Sequence, residues 1–111
     1  MTTIFGKIIK KELPAEIVFE NDRLIAFKDI HPAAPVHILI VPKKEVPNLQ
    51  ALTTSDLDII GEIIQVAQQL AVQYQIADGY RLIVNNGELA GQTINHLHFH
   101  LIGGRLLGAL A

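Results

Sequence analysis

The chain carries five histidines, and three of them alternate with apolar residues in His96-Leu97-His98-Phe99-His100. Side chains on an extended strand switch faces with a period of two. On a strand spanning His96 to Ile102, the three imidazoles therefore share one face. Leu97, Phe99 and Leu101 share the other, where they can pack on a core. Two chemistries suit three imidazoles in register. One is a metal site, because three protein ligands and a water describe a catalytic zinc centre. The other is nucleophilic catalysis, in which an imidazole attacks phosphorus and splits one hard step into two. That route needs a neutral ring with one nitrogen free and the other N–H fixed by an acceptor, for which a neighbouring carbonyl would serve. Flanking imidazoles and Gln92 could then donate to phosphoryl oxygens. Spacing alone leaves both readings open.

The neighbouring residues favour the second. Gln92 and Thr93 add neutral hydrogen-bonding groups just upstream, and Gly87 and Gly91 permit close backbone approach to a ligand. No acidic residue lies in the histidine strand to complete a mixed metal site, although Glu88 is near in sequence.

Positioning such a strand takes a sheet and something packed on it. Ile4 to Lys11 reads as a short amphipathic helix stopped by Pro14. Ile17–Glu20 and Leu24–Ile30 read as a hairpin turning at Asn21-Asp22, and Leu24, Ala26 and Lys28 alternate against Ile25, Phe27 and Asp29. The prolines at 32 and 35 make a stiff loop ahead of a strand over His37–Val41. Ser55, at capping-box spacing from Asp58, opens the longest helix, which Asp78-Gly79 closes. Its apolar stripe runs through Ile60, Ile63, Ile64, Ala67, Leu70, Ala71 and Tyr74. Ile59 and Val66 broaden it toward half the circumference, which suggests a second contact surface such as another subunit. Arg81–Val84 and His96–Ile102 supply the last strands, closed by Gly103-Gly104. Short connections favour a mostly antiparallel sheet with helices packed on it, an α+β arrangement.

With 111 residues the chain is one domain, residues 1–111. Half its residues are hydrophobic and its net charge is −2, which excludes a disordered chain and a strongly basic nucleic-acid footprint. No apolar run is long enough to span a bilayer, and no signal-peptide pattern follows Met1. Without cysteine there are no disulfides or thiolate metal sites. A soluble, cytoplasmic protein is expected.

The sequence His96-Leu97-His98-Phe99-His100-Leu101-Ile102 resembles the His-x-His-x-His pattern of the histidine-triad superfamily. The likeness runs from residue 4 to about residue 105. Ile4–Ile9, Lys11–Ala15, Phe27–Ile30, Ala34–His37, Ile40–Lys44, Arg81–Asn85 and Gly103-Gly104-Arg105 all look like the Hint branch of that superfamily.

The resemblance implies a homodimer of α+β subunits, each with about five antiparallel strands, one long helix and one short one, joined into one larger sheet. It also implies a purine nucleoside phosphoramidase that cleaves P–N bonds, needs no cofactor or metal, and takes purine nucleotide conjugates as substrate. His98 holds the nucleophile's place and would form a nucleotidyl-histidine. His100 would hold the phosphate and assist the leaving group. His96 would shape the site, and His37 resembles a fourth site histidine. Asn85, Gln92 and Thr93 would contact the phosphate or the leaving group. Asp29 resembles the carboxylate that accepts from ribose hydroxyls, against a plain reading as a solvated strand-end acid. Ile4, Phe5, Ile8, Phe27 and Leu39 would form the base pocket, a reading compatible with core packing. His31 matches no motif position and is expected to be exposed. Thr93 stands where serine is frequent, Asn95 where an aromatic is frequent, and the tail from Leu106 to Ala111 lacks a Trp-Pro ending. Two rival readings are a dinucleoside polyphosphate hydrolase of the same superfamily and a nucleotide-binding regulatory module.

Overall fold

The computed structural model describes residues 3–111. Five strands form one antiparallel sheet: β1 (Ile17–Glu20), β2 (Leu24–Lys28), β3 (Val36–Pro42), β4 (Tyr80–Val84) and β5 (Phe99–Gly103), in the order β1-β2-β3-β5-β4. The expected α+β architecture is present. Two α-helices, α1 (Ile4–Ile9) and α2 (Leu57–Gln73), lie on opposite faces.

Alternation along the strands divides the interior in two. Leu24 and Ala26 of β2, Ile38 and Ile40 of β3, and Phe99 and Leu101 of β5 face α2, whose Ile59, Ile63, Val66, Ala67, Leu70 and Ala71 pack on them. Ile25, Phe27, Leu39 and Val41 turn to the other face and pack with Phe5 and Ile8 of α1. A strand buried on both faces reads as a near-continuous apolar run, as Ile38 to Val41 does. Ile59 and Val66 thus belong to the same core as Ile63, Ala67, Leu70 and Ala71 of the stripe, whereas Ile64 of that stripe faces outward. The apolar residues that α2 leaves exposed are Leu57, Ile64 and Val72.

Several boundaries differ from the sequence reading. Both helices end early, at a non-glycine residue in the left-handed region. Lys11 has φ 63° and Gln75 has φ 61°. In each case the following N–H reaches back to a carbonyl of the last turn: Glu12 to Lys7 at 2.8 Å and Ile76 to Ala71 at 2.8 Å. This is the capping geometry usually given to glycine, so neither Pro14 nor Asp78-Gly79 is the stop. The start of α2 also shifts. A single 3-10 turn over Thr54–Asp56 precedes it. The Asp56 carboxylate accepts from the Thr53 N–H at 3.0 Å and hydroxyl at 2.9 Å, so the cap is Thr53 with Asp56 rather than Ser55 with Asp58. Strand β2 stops at Lys28 and β5 begins only at Phe99, which leaves His96 and His98 ahead of the ladder.

Gly103 and Gly104 lock the far end of β5. A Cβ on Gly103 would sit 2.9 Å from Ile76 Cδ1. Gly104 has φ +100°, and a Cβ there would meet Pro35 Cβ at 2.9 Å. The residue after them, Arg105, donates to the Ala33 carbonyl at 2.8 Å. The proline loop is therefore held against the end of the histidine strand. Among the described residues no helix is long and apolar enough to cross a membrane.

Candidate active site

The three histidines do share one face, and their hydrogen bonds fix the proton positions. The His96 ring is fully buried, with Nε2 2.8 Å from the Pro42 carbonyl. A carbonyl can only accept, so the His96 proton sits on Nε2. Its Nδ1 is then an acceptor, 3.1 Å from the Thr3 hydroxyl. The His98 Nδ1 lies 2.7 Å from the His96 carbonyl and must donate to it. That leaves the His98 Nε2 lone pair unspent. Pairing of β5 starts at Phe99, so the His96 carbonyl is outside the strand ladder and able to receive this bond.

His100 lies on β5 opposite Leu39 of β3 and Ile83 of β4. His37 of β3 sits beside it. The Ala33 N–H donates to His37 Nδ1 at 3.0 Å, so the His37 proton is on Nε2. That atom is 3.0 Å from His100 Nδ1 and 3.4 Å from Asp29 Oδ2. Accepting at Nδ1 places the His100 proton on its own Nε2. Two short relays result: Thr3 to His96 to His98, ending on a bare nitrogen, and Ala33 to His37 to His100, ending on an N–H.

Burial favours the neutral form of His98, His100 and His37. It lowers the His100 pKa to about 4, with His98 and His37 adding to the drop and Asp29 opposing it. Burial also lowers His98, against the opposing pull of its bond to the His96 carbonyl. His37 is lowered by burial and partly restored by Asp29.

Beside the rings opens a cleft of about 430 Å³, lined by Ile4, Phe5, Ile8, Phe27 and Leu39 with His98, His100, Asp29 and Thr93. The expected pocket residues are thus brought together with two of the histidines. Phe5 stands edge-on to Phe27 at 5.5 Å and to His98 at 4.9 Å, so the apolar wall touches the reactive ring. Asp29 spends Oδ1 on the His31 N–H at 2.8 Å. His31 is exposed at the cleft's edge. Asn85, half-buried just past β4, is not among the lining residues. Gln92 is buried and its amide is committed: Oε1 accepts from Gly87 N at 2.8 Å, while Nε2 donates to Pro47 O at 2.7 Å and Ile94 O at 3.0 Å. Here it staples the loop between β4 and β5. Sequence reasoning missed Thr3 and the Ala33 N–H. Thr3 had a signal, a threonine directly before the helical run, and helix N-caps favour that residue type.

Asp29, His37 and His100 offer ligand atoms that all lie within 4.8 Å of one another. The cluster suits a cation poorly. A ligating imidazole normally donates its second N–H to an acceptor, whereas the second nitrogen of His37 receives one from Ala33. Its Nε2 therefore holds a proton where a metal would need a lone pair.

Comparison with known proteins shows the family. The family model described as HIT domain matches residues 10–107. An uncharacterized HIT-like protein of Synechocystis is 50% identical over 103 residues, covering 93% of this chain and 90% of its own. Among solved structures, a HIT family hydrolase from Clostridium thermocellum superposes with a TM-score of 0.94 at 49% identity, covering 97% of this chain and 95% of that one. A histidine triad nucleotide-binding protein from Candida albicans gives 0.83 at 32% identity, with 99% and 85% covered. The matched span takes in all five strands and the whole of the histidine segment, and on that ground the chain belongs to the HIT domain family.

Proposed function

We propose that the protein is a hydrolase of the Hint branch, a purine nucleoside phosphoramidase that cleaves P–N bonds through a nucleotidyl-histidine. The observation that carries this reading is the His98 ring, held through Nδ1 by a carbonyl at 2.7 Å with Nε2 unspent beside an apolar cleft. A neutral imidazole so fixed is a nucleophile aimed by its own backbone. The solved relatives named a HIT family hydrolase and a histidine triad nucleotide-binding protein support the class.

In this reading the base lies between Phe5, Ile8, Phe27, Leu39 and Ile4, and Asp29 accepts from the ribose. His98 Nε2 attacks phosphorus as the P–N bond breaks. The His100 Nε2–H, polarised by His37 through Nδ1, donates to the phosphate beside the departing nitrogen, which takes its proton from water. The hydroxide so formed then attacks the nucleotidyl-histidine, breaks the P–N bond to His98 and releases the nucleoside monophosphate. Thr93 and the His100 N–H are the donors near the phosphate. Asn85 and Gln92 contact the phosphate or the leaving group in this reading, Gln92 by giving up a bond to Pro47 or Ile94.

The test is hydrolysis of an adenosine 5′-phosphoramidate bearing a fluorescent amine, with chelator present. Wild type should turn over and His98→Ala should not, while its nucleotide binding persists. Activity in the variant, or none in wild type, sinks the reading. A diadenosine polyphosphate run alongside should be the poorer substrate, because Gly103-Gly104 stand where the polyphosphate branch usually has proline. We also propose a homodimer, supported by the position of β4 at one edge of the sheet and by the exposed Leu57, Ile64 and Val72 on α2.

A further inference from the structure

We propose that Thr3 is a positioning residue for His98, acting through the tautomer of His96. Its hydroxyl does two things at once. The oxygen accepts from the Gly6 N–H at 3.1 Å and caps α1, the helix that carries Phe5 and Ile8 of the cleft wall. The single hydroxyl proton is then left for His96 Nδ1 at 3.1 Å.

Among the described residues, no other group bonds His96 at that atom. Its ring is fully buried, and Nε2 is pledged as a donor to Pro42. Without the hydroxyl, Nδ1 becomes a buried acceptor lacking a donor. The ring must then turn or take a second proton. Turning the ring moves the His96 peptide, and a second proton sets a positive charge beside the carbonyl that accepts from His98 Nδ1 and weakens that bond. Thr3 therefore ties the helix wall that meets the bound base to the ring that performs the attack. Phe5, two residues on, already stands 4.9 Å from the His98 ring.

This inference rests on the phosphoramidase reading for its kinetic arm and is independent of it for its spectroscopic arm. Wild type, Thr3→Val, Thr3→Ser and Thr3→Asp would be compared. Serine keeps cap and proton. Aspartate keeps a good cap acceptor but brings no proton at neutral pH. Valine keeps neither. Long-range proton–nitrogen spectra of the imidazoles report each tautomer directly. The expectation is a single Nδ1–H tautomer for His98 in wild type and Thr3→Ser, and a mixed or shifted signal in Thr3→Val. In Thr3→Asp the His96 ring should become doubly protonated. Turnover should fall on the order of tenfold to a hundredfold in Val and Asp through misplaced geometry, and return in Ser. Full turnover in Thr3→Asp would reduce Thr3 to a helix cap and overturn the proposal, as would unaltered His98 signals in Thr3→Val. If valine prevents folding, the Ser and Asp variants still decide. An inert wild type would count against the phosphoramidase reading alone, and the spectra would then judge Thr3.

Discussion

At the scale of single residues, the site works by assigning each imidazole proton to one nitrogen. Backbone groups do most of the assigning: the carbonyls of Pro42 and His96 and the N–H of Ala33. The pH dependence follows. His98 is lowered from the ordinary histidine value, and only its neutral form can attack. Rate constants should therefore be level from pH 8 to about 6.5, the ordinary histidine value, and decline below it as His98 gains a proton. A rate that rises on acidification through that range would show that a protonated ring is needed in the rate-limiting step. Gln92 supports a separate expectation. Truncation by Gln92→Ala leaves Gly87 N and two carbonyls without their partner, and should lower stability by about 1–3 kcal/mol. Chemical denaturation of the two proteins checks it. The histidine face and the apolar pocket were legible because period-two alternation needs only residue types. The neighbouring carbonyl that fixes His98 was also expected, whereas the tautomers of His96 and His37 were not legible, because they depend on a Pro42 carbonyl far away in sequence and on the direction of one N–H in the proline loop.

At the scale of elements, termini were harder to read than interiors. The cores of α2, β2 and β5 follow from periodicity. The helix ends do not, since Lys11 and Gln75 occupy left-handed positions for which their side chains give no signal. That misfit is testable. Lys11→Gly or Gln75→Gly relieves a left-handed cost while adding unfolded-chain entropy, two effects of similar size. The net expectation is a gain of up to about 1 kcal/mol in each. Thermal melts that show a loss instead would mean that the side-chain packing outweighs the backbone. Gly104 is the opposite case. There the left-handed φ and the approach of Pro35 both exclude a Cβ. Gly104→Ala should cost at least about 1 kcal/mol. It should also loosen the loop whose Ala33 N–H fixes His37, so turnover should fall more than melting temperature suggests.

At the scale of the whole molecule, one sheet separates two interiors of different character. The α2 side is built on the larger apolar cluster. The α1 side mixes an apolar cluster with four histidines, three of them buried and His100 half-buried. This division makes acid stability a property of the catalytic face. Unfolded imidazoles bind protons near pH 6.5, whereas folded His37 and His98 are held lower and His100 is held at about 4. Between those values the unfolded chain carries more protons, so each step toward acid favours it. The histidine contribution is complete above pH 6.5 and is lost as pH falls toward 4. The lowered carboxyls of Glu20 and Asp56 add their own loss only at lower pH, with Asp56 held down to about 2 by Lys44 and Thr53. Stability should thus fall by about 2 kcal/mol on going from pH 7 to 4.5 through His100 alone. His100→Asn, which keeps a hydrogen-bonding side chain without a titrating ring, should flatten that slope even if it lowers the plateau. Equal slopes in the two proteins would show that His100 does not carry the burden, and that the acid sensitivity arises elsewhere in the fold.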